Sequence, residues 1–191
     1  MKKSREFQET VKTLILSLII AMGARVSIAE SRNIPSESML PTLKVKDRLI
    51  IEKISKFSGI ERGDIVVFYP PFLEKEKKGI INDITRFLSL PDHTAYIKRT
   101  IGLPNETVEV RNGLVYIDGK PLKEDYIQEP PFYNMQPIKV PQDSIFVLGD
   151  NRNNSADSHV WGTLPIKYIV GKAFINFWPP ERMGKIDRVK Y

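Results

Sequence analysis

Two short stretches sixty residues apart carry the residue types that acyl-transfer chemistry needs. Pro35-Ser36-Glu37-Ser38-Met39-Leu40-Pro41-Thr42-Leu43 offers a serine, and Tyr96-Ile97-Lys98-Arg99 offers a lysine. A serine hydroxyl attacks a carbonyl poorly until a base takes its proton. With lysine as that base, the amine must be neutral, and an ordinary lysine at pH 7 is neutral only about 0.04% of the time. Burial among apolar groups penalises the ammonium form and brings the pKa towards 7–8. Lys98 follows Ala95, Tyr96 and Ile97 in a run with strand character, where such a position is available. Side chains alternate on a strand, so Arg99 is expected on the opposite face, outside the site. Taken singly, Lys98 also fits a surface lysine and Ser38 a turn residue before Pro41.

The chain has two histidines, His93 and His159, and no cysteine, which excludes disulfides, thiolate catalysis and cysteine-ligated metals. Asp157 and His159 are two apart, so a conventional Ser38-His159-Asp157 triad stays open as a rival, with Lys98 then dispensable. The net charge of +6 is spread over interleaved acidic and basic residues, without zinc ligands or a basic helix, and does not point to nucleic acid. It reads instead as a mildly basic surface attractive to anionic lipid. Gly149 to Asn154 lacks the Gly-Lys-Ser/Thr ending of a phosphate loop, and no cofactor or metal is expected.

The elements that must position these residues begin with an apolar span. Residues 1–12 are polar and basic, and residues 13–29 are apolar apart from Ser17, Gly23, Arg25 and Ser27. As a helix that span covers roughly 25 Å, a little under the ~30 Å hydrocarbon core. It reads as a single-pass anchor with residues 1–12 cytoplasmic and residues 30–191 as an extracytoplasmic catalytic domain. A cleavable signal peptide ending at Ser27-Ile28-Ala29 and a buried core helix are the alternatives; Arg25 disfavours cleavage. The span is expected to stay intact, and Glu30 as a mature N-terminus would refute that.

From Arg48 onward, short β-branched runs alternate with turn residues. Leu49–Ile51, Ile65–Phe68, Thr107–Val110, Leu114–Ile117, Ile145–Leu148 and Ile169–Trp178 are the clearest strands, and Asn112-Gly113 is a strong hairpin signal. The absence of βαβ alternation predicts a mainly β, antiparallel sheet-rich domain. Residues 72–94 read as an excursion carrying a short amphipathic helix, whose apolar face covers the sheet or rests on the bilayer.

Four segments in order then resemble the signature boxes of type I signal peptidases: residues 35–43, Arg62-Gly63-Asp64-Ile65-Val66-Val67-Phe68, residues 96–104, and Gly149-Asp150-Asn151-Arg152-Asn153-Asn154-Ser155-Ala156-Asp157-Ser158. The resemblance runs from about residue 8 to residue 178 and includes the membrane segment ahead of the serine. It implies Ser38 as nucleophile and Lys98 as general base, with Ser36 helping the Ser38 N–H form an oxyanion hole. Ser155 matches the serine that orients the lysine, and Asp157 an acidic residue that supports the site. Ile34, Leu43 and Ile97 match the lining of shallow pockets for small residues at −1 and −3. The implied activity is removal of signal peptides from exported preproteins, at the cell membrane or a thylakoid membrane. His159 stands where many bacterial members have arginine, as in cyanobacterial and plastid-type members, which makes the contact to Asp157 pH-dependent. Asn105 replaces a frequent glycine. A self-cleaving repressor-type protease and an inactive, membrane-anchored β domain that binds exported peptides are the remaining rivals; nothing in the sequence sets an oligomeric state.

Overall fold

A computed structural model describes residues 7–17, 29–53, 59–71, 95–186, 188, 189 and 191. The 72–94 excursion, His93 and most of the apolar span lie outside the described residues. Residues 7–17 are helical. Among the described residues no helix is long and apolar enough to cross a membrane.

The strands fall where β-branched runs lie between turn residues. They are β1 Ala29–Asn33, β2 Arg48–Glu52, β3 Ile65–Phe68, β4 Tyr96–Gly102, β5 Thr107–Arg111, β6 Leu114–Ile117 and β7 Lys120–Pro121. After them come β8 Met135–Lys139, β9 Ser144–Leu148, β10 Leu164–Pro165, β11 Ile169–Trp178 and β12 Gly184–Lys185. One sheet runs β1-β2-β11-β3-β4-β9-β10 with β12 on β11, and a four-stranded sheet runs β7-β6-β5-β8. Each registered strand pair is antiparallel. The mainly β expectation holds.

The hairpin expectation holds as well. Asn112 and Gly113 both have positive φ (51° and 74°), the conformation of a two-residue turn whose twist matches the strands. Five strands escaped the sequence reading: β1, β7, β8, β10 and β12. Each is short or polar, and β1 (Ala-Glu-Ser-Arg-Asn) carries no apolar alternation. Ala29, expected to close the apolar span, is the first residue of β1.

The sheets enclose three apolar clusters. Ile34, Met39, Leu43, Leu49, Ile51, Ile65, Val67 and Ile97 form one, directly beneath the serine loop. A second lies at the junction with the four-stranded sheet around Ile101, Val108, Val110, Phe146 and Leu148. A third packs Val66, Phe68, Ile145, Val147, Leu164 and Ile169. Central strand β4 borders all three, and it carries Lys98.

Candidate active site

The serine reaches the site on the turn between β1 and β2. Ile34 is tied to the far side of this turn by two backbone bonds, its N–H to the Asp47 carbonyl (2.9 Å) and its carbonyl from the Lys46 N–H (3.0 Å). The segment between is held from across the fold, because the Asn151 N–H donates to the Ser38 carbonyl (3.1 Å). The Asn151 amide also donates to the Glu37 carbonyl (3.2 Å). Ser38 is thereby fixed by backbone contacts with the segment that follows β9.

Lys98 arrives from β4, registered opposite Val66 of β3. It is 4% exposed. Its Nζ lies 2.7 Å from Ser38 Oγ and 3.0 Å from the Ile97 carbonyl. Burial pulls its pKa down to about 8, against the charges of Asp157 and Asp150, which pull it up. Roughly a tenth of such a lysine is neutral at pH 7, some two hundred times the fraction of an exposed one. Ser36 Oγ sits 3.2 Å from Ser38 Oγ.

The box after β9 closes the site from behind. Asp157 is fully buried. One of its oxygens accepts from the Gly149 N–H (2.8 Å); the other accepts from the His159 N–H (3.2 Å) and faces His159 Nδ1 at 2.7 Å. It also caps the short helix Ser158–Trp161. Gly149 is needed for space: a Cβ there would lie 2.3 Å from Ser155 Oγ and 2.4 Å from the Ser38 carbonyl oxygen. Ser155 Oγ is buried and has no hydrogen-bond partner among the described residues.

A cleft of about 320 Å³ opens at Ser38 and Lys98 and is lined by Ile34, Pro35, Ser36, Met39, Ala95, Tyr96, Ile97, Asn154 and Ala156. Its wall is largely apolar. Ile34 and Ile97 are among the lining residues. Leu43 is not: it is 1% exposed and sits in the apolar cluster under the cleft, while Met39, Ala95 and Ala156 line it without having been singled out.

The two candidate bases stand differently to Ser38. Asp157 and His159 lie at the cap and first turn of a helix, not on a strand, and the imidazole faces Asp157. Ser38 Oγ is bonded to Lys98 and Ser36, with no bond to His159. Arg99 points away from the cleft, as alternation along a strand predicts. It leaves the site but not the protein, being 1% exposed. Its guanidinium holds Asp150 in a fork (2.8 and 2.6 Å), donates to the Gly63 carbonyl (2.9 Å), and lies 4.3 Å from the Tyr126 ring centroid.

The family model for signal peptidase, peptidase S26, matches residues 7–178. This chain belongs to the peptidase S26 family. Signal peptidase I of Leptolyngbya laminosa is 51% identical over 186 residues, covering 97% of this chain and 86% of that protein. Probable signal peptidase I-1 of Synechocystis is 47% identical over 180 residues, with 94% and 86% covered. Thylakoidal processing peptidase 1, chloroplastic, of Arabidopsis thaliana is 39% identical over 180 residues, and the match spans 92% of this chain but 50% of that protein. A crystal structure of a signal peptidase I from Enterococcus faecalis overlaps 60% of this chain and 96% of its own at 30% identity, with a TM-score of 0.44, too loose a superposition to carry weight. The S26 chain described here is a serine peptidase that removes signal peptides from preproteins.

Sequence reasoning missed the residues that hold this S26 site from behind. Arg152 is fully buried, donates to the Gly149 carbonyl (3.0 Å) and pairs with Glu124 (2.7 and 3.1 Å). Tyr126 lies between the two guanidiniums, 4.3 Å from Arg99 and 5.8 Å from Arg152. The arginines lay within the matched boxes, but nothing local in the sequence linked them to Glu124 or Tyr126.

Proposed function

We propose that the chain is a membrane-anchored signal peptidase I in which Ser38 is the nucleophile and Lys98 the general base. One observation carries the assignment: a buried lysine amine 2.7 Å from a serine hydroxyl, at the floor of an apolar cleft. The neutral amine accepts the Ser38 proton as Oγ attacks the carbonyl of the small −1 residue. The Ser38 N–H and Ser36 Oγ stabilise the resulting oxyanion, each such donor being worth about 3 kcal/mol. Lys98 then hands the proton to the leaving amine, the C–N bond breaks, and water attacks the acyl-enzyme with Lys98 again as base. Ile34 and Ile97 shape the pockets for −1 and −3. Leu43 backs these pockets from the core. Ser155, whose buried hydroxyl has no partner among the described residues, orients the lysine in the substrate complex, since catalytic hydrogen bonds tighten on substrate binding. Asp157 supports the site by fixing Gly149.

The location proposed is a cell or thylakoid membrane, with residues 13–29 as the single span, residues 1–12 cytoplasmic and the catalytic domain outside. The near-complete overlap with bacterial signal peptidases supports it. So does an exposed surface at the Asn33 end of β1, beside the serine loop. There Trp178 is paired with Arg48, which in turn pairs with Asn33. Trp178, Phe174 and Met183 are exposed, with Arg48 5.8 Å from the Trp178 ring and Lys185 6.0 Å from that of Phe174. Aromatic and basic side chains together suit a headgroup region.

Cleavage of an Ala-x-Ala preprotein by the detergent-solubilised chain tests the assignment. Ser38→Ala and Lys98→Ala abolish cleavage and His159→Ala largely keeps it. Activity in Lys98→Ala with loss in His159→Ala would move the base to histidine.

A further inference from the structure

Among the described residues no large apolar side chain is more exposed than Phe132, at 79%. A lone apolar side chain on a surface is ordinary. This one is held in place from both sides. Pro130 and Pro131 precede it with fixed φ, and Pro131 is buried. Asn153 makes three hydrogen bonds to the same loop. Its Oδ1 accepts from the Phe132 N–H (2.8 Å), and its Nδ2 donates to Glu129 Oε1 (3.0 Å) and to the Pro130 carbonyl (2.9 Å). After Phe132, the Tyr133 ring is stacked on His159 with centroids 4.1 Å apart. The fold thus spends ordered contacts on keeping an aromatic ring in water, where its apolar surface is unfavourable until something covers it.

Both anchors lead to the cleft. Asn154 and Ala156, which lie in the chain between Asn153 and His159, line it. Val160, next to His159, is a second exposed apolar side chain on that side. The sheet order fixes which side it is. In the run β2-β11-β3-β4-β9, Arg48 and Trp178 of the proposed headgroup surface lie on β2 and β11, and Lys98 lies on β4. The box that follows β9, with the Phe132 loop bonded to it, lies beyond β4 in the opposite direction. A preprotein whose signal peptide is in the membrane, bound at Ile34 and Ile97 through −3 and −1, therefore leaves the cleft on the Asn154 side with its mature part.

We propose that Phe132 is a specificity-determining contact for the mature side of the preprotein, where it receives an aliphatic or aromatic residue at +2 to +4 of an extended segment. This rests on the reading of Ser38 as nucleophile in this cleft, with the membrane on the Trp178 side. The reach follows from chain geometry. Asn154 to Asn153 is one residue step of about 3.8 Å, and Phe132 lies one amide side chain and one hydrogen bond further on. An extended chain rises about 3.3 Å per residue, so it crosses that gap in three or four residues. The ring touches no reacting atom. It adds apolar contact to the bound substrate, so its effect falls on KM and on the choice among substrates.

The test compares two peptides that share one Ala-x-Ala signal side and differ at +2 to +4, where one carries leucine and the other serine. Each is cleaved by the full chain in detergent micelles, and kcat and KM are measured for wild type, Phe132→Ser, Phe132→Tyr and Ser38→Ala. Wild type is expected to prefer the leucine peptide roughly five- to tenfold in kcat/KM, mostly through KM, the size of partly burying one aliphatic side chain. Phe132→Ser brings the two peptides to within about twofold of each other, and Phe132→Tyr keeps the preference. A wild type that treats the peptides alike overturns the proposal. So does a preference that survives Phe132→Ser, including the case in which both peptides slow by one factor, as a purely structural role of the ring would give. Loss of self-association in micelles with the preference intact would assign the ring to a second copy of the chain and overturn it as well. Cleavage of either peptide by Ser38→Ala would instead overturn the reading of the cleft.

Discussion

Replacing Lys98 by methionine separates what the lysine does for catalysis from what it costs the fold. Methionine has a similar reach and no charge, and the site it would fill is 4% exposed and flanked by Tyr96, Ile97 and Met39. The wild-type amine is shifted from 10.5 down to about 8. Each unit is worth about 1.4 kcal/mol, so holding the ammonium form in the fold costs about 3 kcal/mol at neutral pH relative to the neutral amine. The sign is fixed by proton counting. Between about pH 8 and 10.5 the unfolded chain binds more protons at this lysine than the folded one. Wild-type stability therefore rises with pH through that window, and the penalty is present in full below it. Methionine escapes the penalty and loses the bonds to Ser38 Oγ and the Ile97 carbonyl, worth about 1 kcal/mol each. The expected result is an inactive Lys98→Met variant that is about 1 kcal/mol or slightly more stable than wild type at pH 7. That advantage should shrink, then reverse, as pH approaches 10. Urea unfolding of both proteins at pH 7, 8.5 and 10 in the same detergent reads it. A stability difference that does not change with pH would refute the buried, depressed lysine and with it the basis for its role as base.

Gly149→Ala tests the contact behind the serine. Its new Cβ meets the Ser38 carbonyl oxygen at 2.4 Å, a backbone atom that cannot rotate away. The serine has to shift by close to 1 Å, and misplacement of that size costs about a hundredfold in rate; kcat/KM within threefold of wild type would contradict the close approach. Asp150→Ala leaves Arg99 buried without its carboxylate, and is expected to lower stability by about 3–5 kcal/mol in a urea titration. An unchanged midpoint would mean that the guanidinium finds water in a place the structure makes dry.

The sequence was legible where chemistry or burial repeats a pattern. Ile65–Phe68, Leu114–Ile117 and Ile169–Trp178 were located to the residue because β-branched runs ended at turn residues. Ser38 and Lys98 were singled out through the family resemblance of the segments around them, and their side chains meet at 2.7 Å. What stayed hidden depends on contacts between distant segments. β1 is polar because it is an edge strand with Glu30, Arg32 and Lys53 forming ion pairs on it, so it has no apolar period to detect. Leu43 was assigned to the pocket because it closes the serine box. The turn bond in which the Leu43 N–H donates to the Met39 carbonyl (2.9 Å) instead winds it into the core. Arg99 was assigned to the face away from the site, correctly, yet that face is itself buried, under Asp150, Gly63, Thr42 and Tyr126.

Three cations lie buried around one site, and only one is fit to release a proton. Arg99 and Arg152 are at least as deeply buried as Lys98. Burial pulls all three towards the neutral form. For Arg99 the hydrogen bonds and charge of Asp150 outweigh burial, and for Arg152 those of Glu124 and Tyr126 do so; the net shift of both is upward. Among the described residues Lys98 has no carboxylate within hydrogen-bond distance, only a hydroxyl and a carbonyl, and its net shift is downward. Arginine could not take its place, since a guanidinium does not lose its proton in a protein. The arginines beside it use their charge to hold Asp150 and the Gly149 carbonyl, in the segment whose Asn151 holds the Ser38 loop. Under the proposed assignment, catalytic competence depends less on how deep the lysine lies than on its being denied the carboxylate that each neighbouring arginine has.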